Sequence, residues 1–111
     1  MLNLAIAYSQ NVDFKVSKSE KNYLYSYFLA EKYKILEDYS ESLKFYEKCV
    51  SINPEESSAY NEIAKIYFSS QEWDNSEYYI KEAIRLDPDK KWYYFLLIDL
   101  YVIQNKIEEH L

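Results

Sequence analysis

The stretch SSAYNEIAKIYFSSQEWDNSEYYIKEAIRLDPDK, residues 57–90, holds two helical patterns separated by a polar break. Tyr60, Ile63, Ala64 and Tyr67 recur at three- and four-residue spacing, which places them on one face of a helix. Ser76, Ile80, Ala83 and Ile84 form a second stripe of the same kind. Asp87-Pro88 closes the stretch, because proline drives the residue before it out of the helical region. The stretch therefore predicts helix, short turn, helix.

Shifting the chain by 34 residues brings like residues together. Leu29, Ile63 and Leu97 align, as do Tyr33, Tyr67 and Tyr101. Ala30 meets Ala64, Cys49 meets Ala83, Ile52 meets Leu86, and Asn53-Pro54-Glu55 meets Asp87-Pro88-Asp89. Tyr39 falls with Trp73 and Ile107. The earlier unit repeats both stripes: Ser26, Leu29, Ala30 and Tyr33, then a break at Glu37-Asp38, then Leu43, Tyr46, Cys49 and Val50. Ser17 and Glu20 have capping-box spacing, so the first long helix is expected from about residue 18 to residue 36. A period of this length is the mark of a repeat architecture.

The pattern resembles the tetratricopeptide repeat, with its large aromatic, Leu-Gly, Tyr, Ala, Phe and closing Pro over 34 residues. Residues 57–90 carry Tyr60, Ile63, Ala64, Tyr67, Ser76, Ile80, Ala83 and Pro88 at those places. Residues 23–56 carry Leu29, Ala30, Tyr33, Ser42, Tyr46, Cys49 and Pro54, with Ser26 where an aromatic is usual. Residues 91–111 begin a third unit with Tyr94, Leu97 and Tyr101. The resemblance implies an all-α fold, an α-solenoid of antiparallel helix hairpins wound as a right-handed superhelix. Its expected divisions are an N-terminal cap or remnant of an earlier repeat (1–17), repeat 1 (18–56), repeat 2 (57–90) and an incomplete third repeat (91–111), with a first helix and the start of a second.

Residue size explains the recurrence. Ala30 with Ser42, and Ala64 with Ser76, are small enough to let two helices of a hairpin approach closely. Tyr33 and Tyr67 are expected to fill the gap between successive hairpins. One hairpin cannot bury its apolar stripe alone, so units stack.

The third unit departs from this scheme. Ile98 replaces Ala30 and Ala64, and His110 replaces Ser42 and Ser76. Two large residues at a tight crossing would overpack it, at a cost of about 1–3 kcal/mol. Trp92 to Ile98 is an unbroken apolar run, and Leu100 to Ile103 follows Asp99. A helix apolar on every side requires burial on more than one face, or marks an interface. At the N-terminus, Leu4, Ala5 and Tyr8 read as a helix remnant, and Val12, Phe14 and Val16 alternate; residues 1–17 are expected to cap the outer face of the first helix.

In the resembled family the first helix of each unit lines a concave groove. Spacing places Tyr27, Glu31 and Lys34 opposite the Leu29/Tyr33 stripe, then Asn61, Lys65 and Phe68, then Phe95, Asp99 and Val102. This mixed surface with aromatic anchors suits a protein or peptide partner; the plainer reading is a set of solvated helix faces. Some family members grip a C-terminal carboxylate with Lys, Asn and Arg. The corresponding places here hold Tyr27, Glu31, Glu62, Trp92 and Leu96, which disfavours that ligand and points to an apolar or weakly basic one. The alternative function is homo-oligomeric assembly through the apolar helix 91–104, by way of Trp92, Phe95, Leu96, Val102 and Ile103.

Composition narrows the rest. Glycine is absent, which removes Gly-rich phosphate loops and leaves helix turns to Asn, Asp, Glu and Pro. A net charge of −6 argues against nucleic acid, and no basic run argues for a membrane surface. Fourteen tyrosines supply rings suited to half-buried positions. The lone Cys49 aligns with Ala83 and reads as a small core residue rather than a nucleophile. No His/Cys cluster fits zinc and no paired acid and base is evident, so neither catalysis nor a cofactor is expected. Met1 to Tyr8 lacks a positive leader and a cleavage site, and no stretch reaches roughly 20 apolar residues, so a cytoplasmic location is the default.

Overall fold

The computed structural model describes residues 16–105, which form five helices: α1 (Lys18–Ile35), α2 (Tyr39–Ile52), α3 (Ser57–Ser69), α4 (Trp73–Leu86) and α5 (Lys91–Ile103). No strand occurs among the described residues. The expectations for Leu4, Ala5, Tyr8, Val12, Phe14, Ile107 and His110 lie outside them.

Local signals set the helix ends. The Ser17 hydroxyl accepts from the Glu20 amide at 3.0 Å while the Ser17 amide donates to the Glu20 carboxylate at 2.9 Å, a complete capping box. Asp38 caps α2 by accepting from the Glu41 amide. Helices α2 and α4 stop at Asn53 and Asp87, each just before a proline.

The hairpin turns repeat at 34 residues in backbone geometry as well. Glu37 and Gln71 both have φ 60°, and Asn105 has φ 55°. At the first turn the Glu37 amide donates to the Lys34 carbonyl and the Asp38 amide to the Tyr33 carbonyl. Gln71 to Phe68 and Glu72 to Tyr67 reproduce both bonds at the second, and Asn105 to Val102 reproduces the inner one at the third. This is the Schellman ending, whose left-handed residue is ordinarily glycine. A chain without glycine accepts a Cβ clash there. Gln71→Gly should therefore stabilise the fold by about 0.5–1 kcal/mol, read as a higher urea midpoint at unchanged slope.

Within each hairpin the small residues meet as expected. The Ser42 hydroxyl donates to the Ala30 carbonyl at 2.8 Å, and the Ser76 hydroxyl donates to the Ala64 carbonyl at 2.8 Å. All four residues are fully buried or nearly so. Tyr33 stacks on Phe45 and Tyr67 stacks on Tyr79, both at 5.7 Å between ring centres. The two tyrosines thus make matching ring contacts inside their own hairpins. The Tyr67/Tyr79 pair also reaches back onto the first hairpin's core.

Stacking is carried by α3, which is buried on two sides. Ala59, Ile63 and Ile66 join Ala30, Tyr46 and Cys49 in one apolar cluster. Tyr60 and Ala64 join Ile80, Ala83, Tyr93 and Leu100 in the next. Helix α5 enters that second cluster through Tyr93 and Leu100, and the Tyr93 and Ser57 hydroxyls share a 2.9 Å hydrogen bond. Tyr94, aligned with the buried Tyr60, remains 38% exposed although its hydroxyl makes the same bond, to the Pro88 carbonyl, that Tyr60 makes to Pro54. The difference follows from position: Tyr60 has α4 beside it, and no described helix lies in that place beside α5.

Candidate functional site

The first helices of the units carry the candidate residues, and a polar chain ties the earlier ones together. The buried Tyr46 hydroxyl donates to the Glu31 carboxylate. Lys34 sits one turn on from Glu31 and bonds it at 3.1 Å. The same ammonium reaches Glu62 on α3 at 3.0 Å, and Lys65 bonds the other oxygen of Glu62 at 3.0 Å. The result is a continuous run, Tyr46–Glu31–Lys34–Glu62–Lys65, that crosses from α2 through α1 to α3. Tyr27 lies edge-on to Tyr46 at 5.4 Å.

Burial and charge act together on the titrating groups. Burial, the hydrogen bond to Glu31 and the charges of Glu62 and Glu31 push the Tyr46 phenol well above its ordinary range. Burial and the carboxylates of Glu62 and Glu31 do the same to Tyr27. Burial pulls Lys34 downward, but its bonds to Glu62 and Glu31 outweigh that and leave it raised. At neutral pH the phenols are neutral and Lys34 is charged, so the run is a set of matched donors and acceptors. Lys34, Tyr39, Glu62, Lys65, Ile66 and Ser69 line a shallow cleft of about 330 Å³ beside it.

The residues picked out by spacing divide into two groups. Tyr27, Glu31 and Lys34 are half-buried and engaged with neighbours, and Lys65 is exposed but held by Glu62. Asn61 is half-buried, and Phe68 rests edge-on against Trp73 at 5.3 Å. On α5 the character changes. Phe95 is 64% exposed, Asp99 and Val102 are exposed beside it, and Trp92 and Ile103 are exposed as well, whereas Leu96 packs partly into the second cluster.

Sequence reasoning missed the part played by Glu62. Its register partners are Phe28 and Leu96, so a carboxylate stands where the other units place apolar side chains. Lys65 three residues on and Lys34 at the end of the preceding first helix were the available signals. The Ser57–Tyr93 bond had no such signal, because a 36-residue separation lies off the repeat period.

Cys49 is buried, its thiol donates to the Tyr23 carbonyl at 3.6 Å, and burial pushes that thiol up to about 11, so it is a protonated core thiol at neutral pH. Among the described residues no group of His, Cys, Asp and Glu is arranged to hold a metal ion, and no helix is long and apolar enough to cross a membrane. A family model described as the tetratricopeptide repeat matches residues 25–56 and 57–90. No curated protein matches the chain.

Proposed function

This chain belongs to the tetratricopeptide repeat family, whose repeats generally mediate protein–protein interaction, and on that premise we propose that it is an adaptor gripping a protein or peptide along the face of its first helices. The carrying observation is the state of the two lysines on that face: Glu62 holds both Lys34 and Lys65, and Glu31 holds Lys34 again. Cations already paired are poor hooks for a free carboxylate, since a ligand would have to displace a partly buried partner. Helix α5 instead offers Phe95 and Val102 around Asp99. That chemistry favours an apolar segment with a basic residue, and the net charge of −6 favours such a segment over nucleic acid.

Selection from a random peptide library displayed on phage tests the reading. Selected peptides should combine apolar and basic residues. Asp99→Lys and Phe95→Ala should each weaken them by about tenfold, as hot-spot losses near 1.4 kcal/mol do. Peptides that bind both variants as tightly as the unmodified chain would overturn the proposal. A second reading, self-association through α5, rests on the exposure of Trp92, Phe95, Val102 and Ile103 along one helix. Light scattering decides it: a monomer at micromolar concentration removes it, and a dimer that Phe95→Glu dissociates supports it.

A further inference from the structure

We propose that residues 1–15 of this chain cover the outer face of α1, in the place where each later first helix meets the hairpin before it. The repeat register identifies that face. Ala59, Glu62 and Ile66 are the residues by which α3 meets the first hairpin, and all three are buried. Thirty-four residues on, Tyr93, Leu96 and Leu100 bring α5 against the second. Thirty-four residues back, the same positions are Tyr25, Phe28 and Lys32. Tyr25 is 67% exposed and Phe28 74% exposed, and Leu24, Ile35 and Leu36 beside them are exposed too. A stripe that is core in two units is thus open in the first. A helix interior does not ordinarily turn this much apolar surface to water.

Two depressions mark the ends of the stripe. One, of about 620 Å³, lies at the head of α1 between Val16, Tyr23, Leu24 and Ile52. The other, of about 420 Å³ and almost wholly apolar, lies among Phe28, Ile35 and Leu36. Val16, the first described residue, lines the first of them.

The occupant follows from sequence and tether. Seven of the first eight residues of MLNLAIAYSQNVDFK are apolar. The stripe from Leu24 to Ile35 is about 17 Å long at 1.5 Å per residue, and a 15-residue segment spans that distance in any conformation from helical to extended. A segment joined directly to the face meets it at an effective concentration of order millimolar, which a second copy at micromolar concentration does not match.

Lys32→Cys in the full chain tests this, since it places a thiol within the stripe without removing an apolar group. Its reaction with an aromatic disulfide reagent is compared with that of Lys48→Cys on the exposed side of α2. The buried native Cys49 stays silent while the protein is folded. The expected result is a rate at least about tenfold slower at residue 32, independent of protein concentration, because the thiol reacts only when the cover opens. Adding Leu4→Asp and Ile6→Asp should restore the fast rate with helicity unchanged. Equal rates at residues 32 and 48 would overturn the proposal. So would protection that disappears on dilution, which identifies a second copy as the cover, or protection that survives the two aspartates.

Discussion

Tyr46→Ala should destabilise the protein by about 3–5 kcal/mol, the cost of deleting a large buried ring and leaving a cavity. Tyr46 is fully buried where α1, α2 and α3 meet, in the cluster that holds Ala30, Cys49, Ala59 and Ile63. It supports the first hairpin and the face on which the second hairpin stacks. A domain of this size has about 5–15 kcal/mol in all, so urea denaturation should show the midpoint fall by about a fifth or more. A loss below about 1 kcal/mol would mean that the two hairpins are not joined through this ring.

Tyr46→Phe separates the hydroxyl from the ring. It keeps the volume and leaves Glu31 without one donor, and Glu31 is open enough to take a water in exchange. The expected cost is about 1–2 kcal/mol, toward the low end for a hydrogen bond to a charged group. The two variants also differ from the parent at high pH. The Tyr46 phenol is raised in the folded state, so its contribution is complete below the ordinary phenol value near 10 and is lost as pH rises beyond that. Tyr27 is raised in the same direction. The parent's urea midpoint should therefore begin to fall near pH 10. Tyr46→Phe should fall less steeply, since one of the groups that prefers to stay protonated has gone.

Sequence periodicity exposed the fold because its elements are local. Helix stripes, the Ser17/Glu20 box and the Asn53-Pro54 and Asp87-Pro88 stops each depend on residues within a few positions. The hairpin crossings were legible as well, since small residues recur there in pairs. The site was less so. Spacing put Tyr27, Glu31 and Lys34 together on one helix, but their engagement depends on Tyr46 and Glu62, which belong to other helices. Spacing within one helix carries no information about how far a side chain leans toward its neighbour. The left-handed turns were hidden for a different reason. Glu37 and Gln71 carry no residue signature for positive φ, and only their 34-residue separation links them.

The crossing of α3 and α4 gives the second large effect, and it tests the odd third unit at the same time. Ala64→Ile installs in the second unit the side chain that the third unit already has at Ile98. Ala64 is fully buried, and its carbonyl accepts from Ser76 at 2.8 Å, so there is no space for three further carbons. The helices must separate, which costs about 1–3 kcal/mol in overpacking, with about 1 kcal/mol more for the stretched Ser76 bond. Ile98→Ala is the reverse change at the same register. Ile98 is 47% exposed, so removing it should cost less than about 1 kcal/mol. Thermal or urea midpoints measure both. If Ala64→Ile proves nearly neutral, the crossing is not as tight as its geometry states. If Ile98→Ala costs as much as a core truncation, another segment closes over α5 in solution, and the apolar surface around Phe95 is then packing rather than a place for a partner.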